Sequence, residues 1–475
     1  MLVMGNFKSL KSIGGQQPPQ DPQQRPARPS VPAGADPNAR PSAPTGDAPP
    51  SNAWSPPPLQ KLEDTGLTKL AVADYIIKAL YFRGELFGHQ IADVLRLPFS
   101  GVLDGVLEFL KRDKMVEVAG AGGIGEASYR YVISSKGMER ALEALDRTQY
   151  AGAAPVPLEM YLHSVREQNK SKKPIREADM LKVMENLIVS KEMLDKIGPA
   201  ANSGTSIFLY GPPGNGKTTL SEAIGRVILG DDMWIPYAID VDGQVIQLFD
   251  QVNHELSGDQ TPLRYGTGSV ADPRWVRIKR PIIIVGGELT MESLDLTYDP
   301  INKFYEAPYQ VKANGGMFLI DDFGRQQVSP KDLLNRWIVP LEKKYDFLTL
   351  NNGRKIEMPF SVMIIFSTNM DPRDLVDDAF LRRIKYKIEV GNPTPEQFRA
   401  LFELMCRIRK VPFDERGYAY LLKEWYQKYN RDLRFVHPRD LLSQIKDIAD
   451  YMGVPPSMGS KELLDRAAAS YFVEL

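Results

Sequence analysis

The chain has 475 residues, 43% hydrophobic and 25% charged, with a formal net charge of −1. The length allows roughly two to four domains, and the near-neutral charge excludes bulk electrostatic attraction to nucleic acid or an anionic membrane, leaving only local patches. One cysteine, Cys406, excludes an internal disulfide, and four scattered histidines show no metal-ligand spacing. No apolar run approaches the roughly 18 residues that a membrane span needs, so a cytoplasmic protein is expected.

Residues 1–65 are expected to be a disordered tail. Fourteen prolines fall between Gln16 and Pro58, mixed with Gln, Ala, Ser and Arg, and such a stretch buries too little apolar area to offset its ordering entropy. Residues 66–148 change character. Apolar spacing predicts helices over 70–80, 89–95 and 100–111, then a hairpin from 115–119 and 129–133 around a glycine-rich tip. Three helices followed by a hairpin resemble a winged helix–turn–helix domain. A DNA reader leaves a basic footprint, but residues 61–147 hold 12 Lys/Arg against 13 Asp/Glu. Protein contact is therefore the expectation, with nucleic acid possible but not favoured. Residues 149–175 read as a polar connector, and 175–196 as helical.

The nucleotide signature comes next. Gly211-Pro212-Pro213-Gly214-Asn215-Gly216-Lys217-Thr218 fits the pattern G-x-x-x-x-G-K-[ST]. A buried strand is expected before it (206–210) and a helix after it (219–229). Glycines let backbone N–H groups close around phosphate oxygens, and the helix N-terminus adds the positive end of its dipole. Lys217 supplies a point charge for the β/γ-phosphates, and the Thr218 hydroxyl is a Mg²⁺ ligand; Thr219 opens the helix beside them.

Residues 231–312 exceed a minimal nucleotide core and read as carrying an insertion, including a strand at 281–285; Tyr265-Gly266-Thr267-Gly268 is a candidate pore segment. Met317-Phe318-Leu319-Ile320 is an apolar run ending in Asp321 and Asp322. Asp321 is placed to hold Mg²⁺ and Asp322 to polarise an attacking water. Residues 346–358 read as a hairpin with an Asn-Gly turn. Residues 362–368 read as a buried strand ending at Asn369, whose amide can orient the same water. Arg382 and Arg383 precede an edge strand at 385–390, where they form a solvated corner or reach a neighbouring subunit. Arg439, behind Pro438 at a helix start, can swing onto a nucleotide.

Taken together, residues 176–475 resemble the AAA+ ATPases, whose usual loop differs from this one only at Asn215. The resemblance implies an α/β fold: a P-loop parallel-sheet core over 176–391 and a helical lid over 392–475, preceded here by the winged-helix domain and the tail. It also implies roles. Asp321 and Asp322 match the Walker B pair, with Asp322 standing where the family usually has Glu. Asn369 matches sensor 1, Arg383 with Arg382 beside it the arginine finger, and Arg439 the sensor 2 arginine. The 346–358 hairpin is similar to that of the pre-sensor-1 branch, and Asp322-Phe323-Gly324-Arg325 with the helix after it is similar to MoxR-type ATPases. The implied activity is Mg²⁺-ATP hydrolysis coupled to remodelling a protein client or adaptor, in a ring that the resemblance sets at six copies of the chain. The alternatives are a winged-helix DNA-binding regulatory ATPase and a nucleotide-gated scaffold with little turnover.

Overall fold

Five short apolar runs assemble into one parallel sheet: β1 (Ile207–Tyr210), β2 (Ile282–Val285), β3 (Met317–Ile320), β4 (Met363–Thr368) and β5 (Tyr386–Glu389), in the order β2-β3-β4-β1-β5. The computed structural model describes residues 54–170, 174–185, 187–228, 232–258, 271–375 and 378–472. Residues 1–53 of the expected tail and the candidate pore segment at 265–268 lie outside the described residues, whereas residues 54–65, expected as part of the same disordered tail, are ordered: Leu62–Thr65 is a short 3-10 turn, and Leu59 and Thr65 are buried.

Alternation along the strands sorts side chains onto two faces. Phe208, Phe318, Ile320, Ile364 and Phe366 point to one face, where Leu333, Leu334 and Trp337 cover them. Ile207, Leu209, Met317, Leu319, Met363 and Ile365 point to the other, under Leu220, Ala223, Ile224 and Ile197. Burial on both faces explains why β3 and β4 read as unbroken apolar runs.

The strand at 281–285 was expected within the insertion. It is instead the edge strand β2, paired with β3 from Ile282↔Met317 to Val285↔Ile320. The insertion proper supplies most of a second five-stranded sheet, formed by Val156–Pro157, Ala238–Val241, Gln244–Gln247, Thr297–Asp299 and Phe304–Glu306. The expected connector at 149–175 is also more ordered than its polarity suggests. Val156–Pro157 joins this second sheet, and Leu158–Lys170 is a helix that buries Tyr161 and Val165 against it.

Before that lie the helices Lys69–Arg83, Gly88–Leu95 and Asp104–Arg112, then the antiparallel pair Val116–Ala121 and Tyr129–Ile133 and a helix Ser135–Arg147. A short strand, Leu86–Phe87, adds to the pair as a third. The helix expected from residue 100 starts at Asp104, because Ser100 and Gly101 have non-helical dihedrals and Asp104 Oδ2 accepts from Gly101 N (2.9 Å). The hairpin expected at 346–358 is Tyr345–Thr349 with Lys355–Pro359, closed by Gly353 N donating to Leu350 O. Helices Pro395–Arg409, Glu415–Leu421, His437–Met452 and Lys461–Tyr471 follow β5.

The N-terminal helices are not suspended from the sheets by a loose linker. Their core continues into the second sheet through Tyr150, Ala238 and Val245, with Phe304 packed against it. Arg274 seals this junction from a fully buried position. It pairs with equally buried Asp272 (2.7 Å), and its Nη1 donates to Thr65 O (2.8 Å) and Pro155 O (3.2 Å). Removing one member of such a pair strands a charge away from water. Asp272→Ala is therefore expected to lower unfolding free energy by about 3–5 kcal/mol in urea denaturation.

Candidate phosphate-binding site

The strand order decides where the polar residues meet. β4 lies between β3 and β1, and all three run parallel, so their carboxyl ends share one edge. The loop after β1, the acids after β3 and the amide after β4 converge there. Thr218 Oγ1 donates to Asp321 Oδ2 (2.7 Å), and Lys217 Nζ donates to Asn369 Oδ1 (2.5 Å). Asn369 Nδ2 donates in turn to Asp322 Oδ1 (3.1 Å). Asp322 N donates to Asp321 Oδ1 (3.1 Å), so that residues singled out in separate parts of the sequence form one hydrogen-bonded network.

The loop geometry follows from its glycines. Gly211 (φ 134°) passes so close to Val390 that a Cβ would lie 2.5 Å from its carbonyl oxygen; Gly214 (φ 79°) would place one 2.7 Å from Val436 Cγ1. Lys217 opens the helix Lys217–Ile228, and its Nζ also donates to Gly211 O (2.8 Å) and Pro212 O (3.0 Å). Lys217 is 6% exposed. Burial holds its pKa below the ordinary lysine value, with Arg434 adding to the effect and Asp321 and Asp322 opposing it. Thr219 is half-buried in the first helical turn.

The turn after β3 is braced from two sides. Phe323 N donates to Ser367 O (2.7 Å), Thr368 Oγ1 donates to Phe323 O (2.7 Å), and Gln326 Nε2 donates to Asp321 O (2.9 Å). Asp322 has φ 49°, a left-handed conformation that Asp and Asn adopt more readily than longer side chains. The backbone turn thus suits a short carboxylate, which remains exposed beside Asn369.

The arginines fall elsewhere. Arg383 Nε donates to Glu342 Oε1 (2.6 Å), and Arg382 is exposed. Arg439 Nε donates to its neighbour Asp440 Oδ1 (2.6 Å). The arginine of the C-terminal helical segment at the loop is Arg434, whose Nη1 donates to Pro213 O (2.8 Å). Sequence reasoning missed Arg434 and Gln326: Gln326 lies close behind the acids but in no recognised spacing, and only the folded chain brings Arg434 to the site.

His437, at the start of the helix His437–Met452, is buried, and its Nδ1 lies 3.0 Å from Tyr426 Oη. Burial first, then the Arg434 charge, lowers its pKa from 6.5 to about 4. Between those values the unfolded chain binds more protons than the folded one, so stability falls as pH drops from 6.5 through about 4. His437→Gln is expected to remove a slope of up to about 1.4 kcal/mol per pH unit in that window, read by urea denaturation at stepped pH.

A family model described as Domain of unknown function (DUF8689) matches residues 394–470. No curated protein matches the chain. Among solved structures, NtrX from Brucella abortus is 16% identical, with a TM-score of 0.39 over 72% of this chain and 68% of that one. NtrX in complex with ADP is 13% identical, with a TM-score of 0.36; 66% of this chain is covered, and the chain spans 62% of that protein, less than two thirds. The RuvB Holliday junction branch migration motor from Thermotoga maritima is 12% identical, with a TM-score of 0.33 over 60% of this chain and 68% of that one. At these values the likenesses are similarities only. Among the described residues, no helix is long and apolar enough to cross a membrane.

Proposed function

We propose that the chain is an AAA+ ATPase that binds and hydrolyses Mg²⁺-ATP at the carboxyl ends of β1, β3 and β4. The observation that carries this reading is the convergence of Lys217, Thr218, Asp321 and Asn369 through hydrogen bonds of 2.5 and 2.7 Å. A magnesium nucleotide fits the donor set. Oxygen ligands from Thr218 and Asp321 suit a hard divalent cation, and Lys217 with the loop N–H groups suits phosphate oxygens. The metal, when bound, neutralises charge on the phosphate oxygens.

The remaining work belongs to the chain's own residues. Lys217 exchanges its carbonyl acceptors Gly211 O and Pro212 O for phosphate oxygens. Asp322 and Asn369, already hydrogen-bonded to each other, hold an attacking water in line. Arg383, with Arg382 beside it, serves the pocket of an adjoining copy of the chain, so the active unit is a ring, on the family resemblance a hexamer. Arg439 belongs with the nucleotide as a sensor arginine once its pairing with Asp440 is exchanged.

The wider reading is a cytoplasmic remodelling ATPase of the pre-sensor-1 hairpin branch, nearest to MoxR-type ATPases. In its domain plan the winged helix covers 66–148, the nucleotide core 176–391 and the lid 392–475, while residues 54–65 and 149–170, within the spans expected as tail (1–65) and linker (149–175), are built into the fold. The winged helix engages a protein client or adaptor, consistent with its near-equal acidic and basic content.

Phosphate release tests the proposal. Lys217→Ala is expected to abolish ATP binding and turnover together. Arg383→Ala is expected to lower turnover by about 10³-fold or more while ATP binding persists. Wild-type protein that binds ATP without measurable phosphate release would support a nucleotide-gated scaffold instead. Asp322→Glu is expected to cost about 1 kcal/mol of stability, because the longer side chain fits the left-handed turn less well. Denaturation of the two proteins in parallel measures that cost.

A further inference from the structure

Asn215 departs from the loop of the resembled family, and its side chain turns away from the phosphate-facing network. It is 4% exposed. Its Oδ1 accepts from Phe435 N (3.4 Å), and its Nδ2 donates to Asn392 Oδ1 (2.9 Å). A backbone N–H can only donate, so Phe435 fixes which end of the amide is oxygen, and the nitrogen must then meet the oxygen of Asn392. One short side chain thereby grips the C-terminal helical segment at two distant points. Asn392 lies on the stretch leaving the edge strand β5, and Phe435 lies in the strap before the helix His437–Met452.

The same strap makes two further ties to the loop. Val436 N donates to Gly214 O (2.9 Å), and Arg434 Nη1 donates to Pro213 O (2.8 Å). These ties use loop carbonyl oxygens and the Asn215 amide, so none consumes a loop N–H group that a phosphate needs.

We infer that Asn215 is a positioning residue that latches the C-terminal helical segment to the phosphate loop and so keeps Arg434 at the rim of the nucleotide pocket. The inference rests on the ATP-site reading above. The latch holds loop and strap in register before nucleotide arrives, which removes part of the ordering cost of binding. A single hydroxyl, as threonine would offer here, cannot accept from Phe435 N and reach Asn392 with the same span.

Nucleotide binding to the full chain, measured with ATP and Mg²⁺ for Asn215→Ala, Asn392→Ala and the double variant, tests the latch. Asn392→Ala, which loses one bond, is expected to weaken ATP binding by about fivefold, and Asn215→Ala, which loses that bond and the one from Phe435 N, by about tenfold; the double variant is expected to bind no more weakly than Asn215→Ala, because the bond lost at Asn392 is already lost there. In turnover assays, the rise in KM is expected to exceed any fall in kcat. Asn392→Ala lies off the phosphate loop and carries the test if Asn215→Ala does not fold. Lys217→Ala in the same titration separates two failures. If Lys217→Ala loses ATP while the asparagine variants bind as wild type, or if their effects add, the latch is overturned and the ATP site stands. If Lys217→Ala binds ATP as wild type, the ATP site and the latch fall together.

Discussion

The hydrogen bond from Thr218 to Asp321 joins the helix that follows β1 to the end of β3, a strand that is not β1's neighbour. It spans β4, and Asn369 at the end of β4 fills the gap through its own bond to Lys217. This arrangement exists only because β1, β4 and β3 run in the same direction; reversing any one would send its terminal polar residues to the opposite edge. The apolar alternation that builds the sheet and the polar residues that end each strand are therefore one design. The hydrophobic run fixes direction and depth, so that the acids and the amide directly after β3 and β4 meet the start of the helix that follows the loop after β1.

The residues of this site were legible because their chemistry demands rare types in a set local order. A glycine-framed Lys-Thr, two acids behind an apolar run and an amide behind another each announce themselves without the fold. The rest was hidden for identifiable reasons. Ile282–Val285 is four apolar residues long, too short for periodicity to separate an insertion strand from a core strand, and only its pairing with β3 does so. Leu158–Lys170 buries a narrow stripe through Tyr161 and Val165, which its polar neighbours mask. Arg434 shows no spacing relation to the loop, and its position depends on how the C-terminal helices fold back. Arg439 follows a proline at a helix start, a better local signal, yet its guanidinium pairs with Asp440.

The N-terminal helices and the second sheet share an apolar core and a buried Arg274–Asp272 pair. Dense packing of this kind transmits displacement rather than absorbing it. The insertion strands thus form the shared layer through which the N-terminal helices rest on the rest of the chain. The hairpin Tyr345–Thr349 with Lys355–Pro359 places Leu348, Ile356 and Met358 in the insertion's own core. It leads into the amino end of β4, whose opposite end carries Asn369.

Calorimetric titration of the purified chain with ATP, with and without Mg²⁺, tests the central claim most directly. The proposed metal site at Thr218 and Asp321 predicts saturable binding of one nucleotide per chain, weakened by about tenfold or more when Mg²⁺ is withheld. Absence of binding at millimolar ATP, or affinity indifferent to the metal, would contradict it.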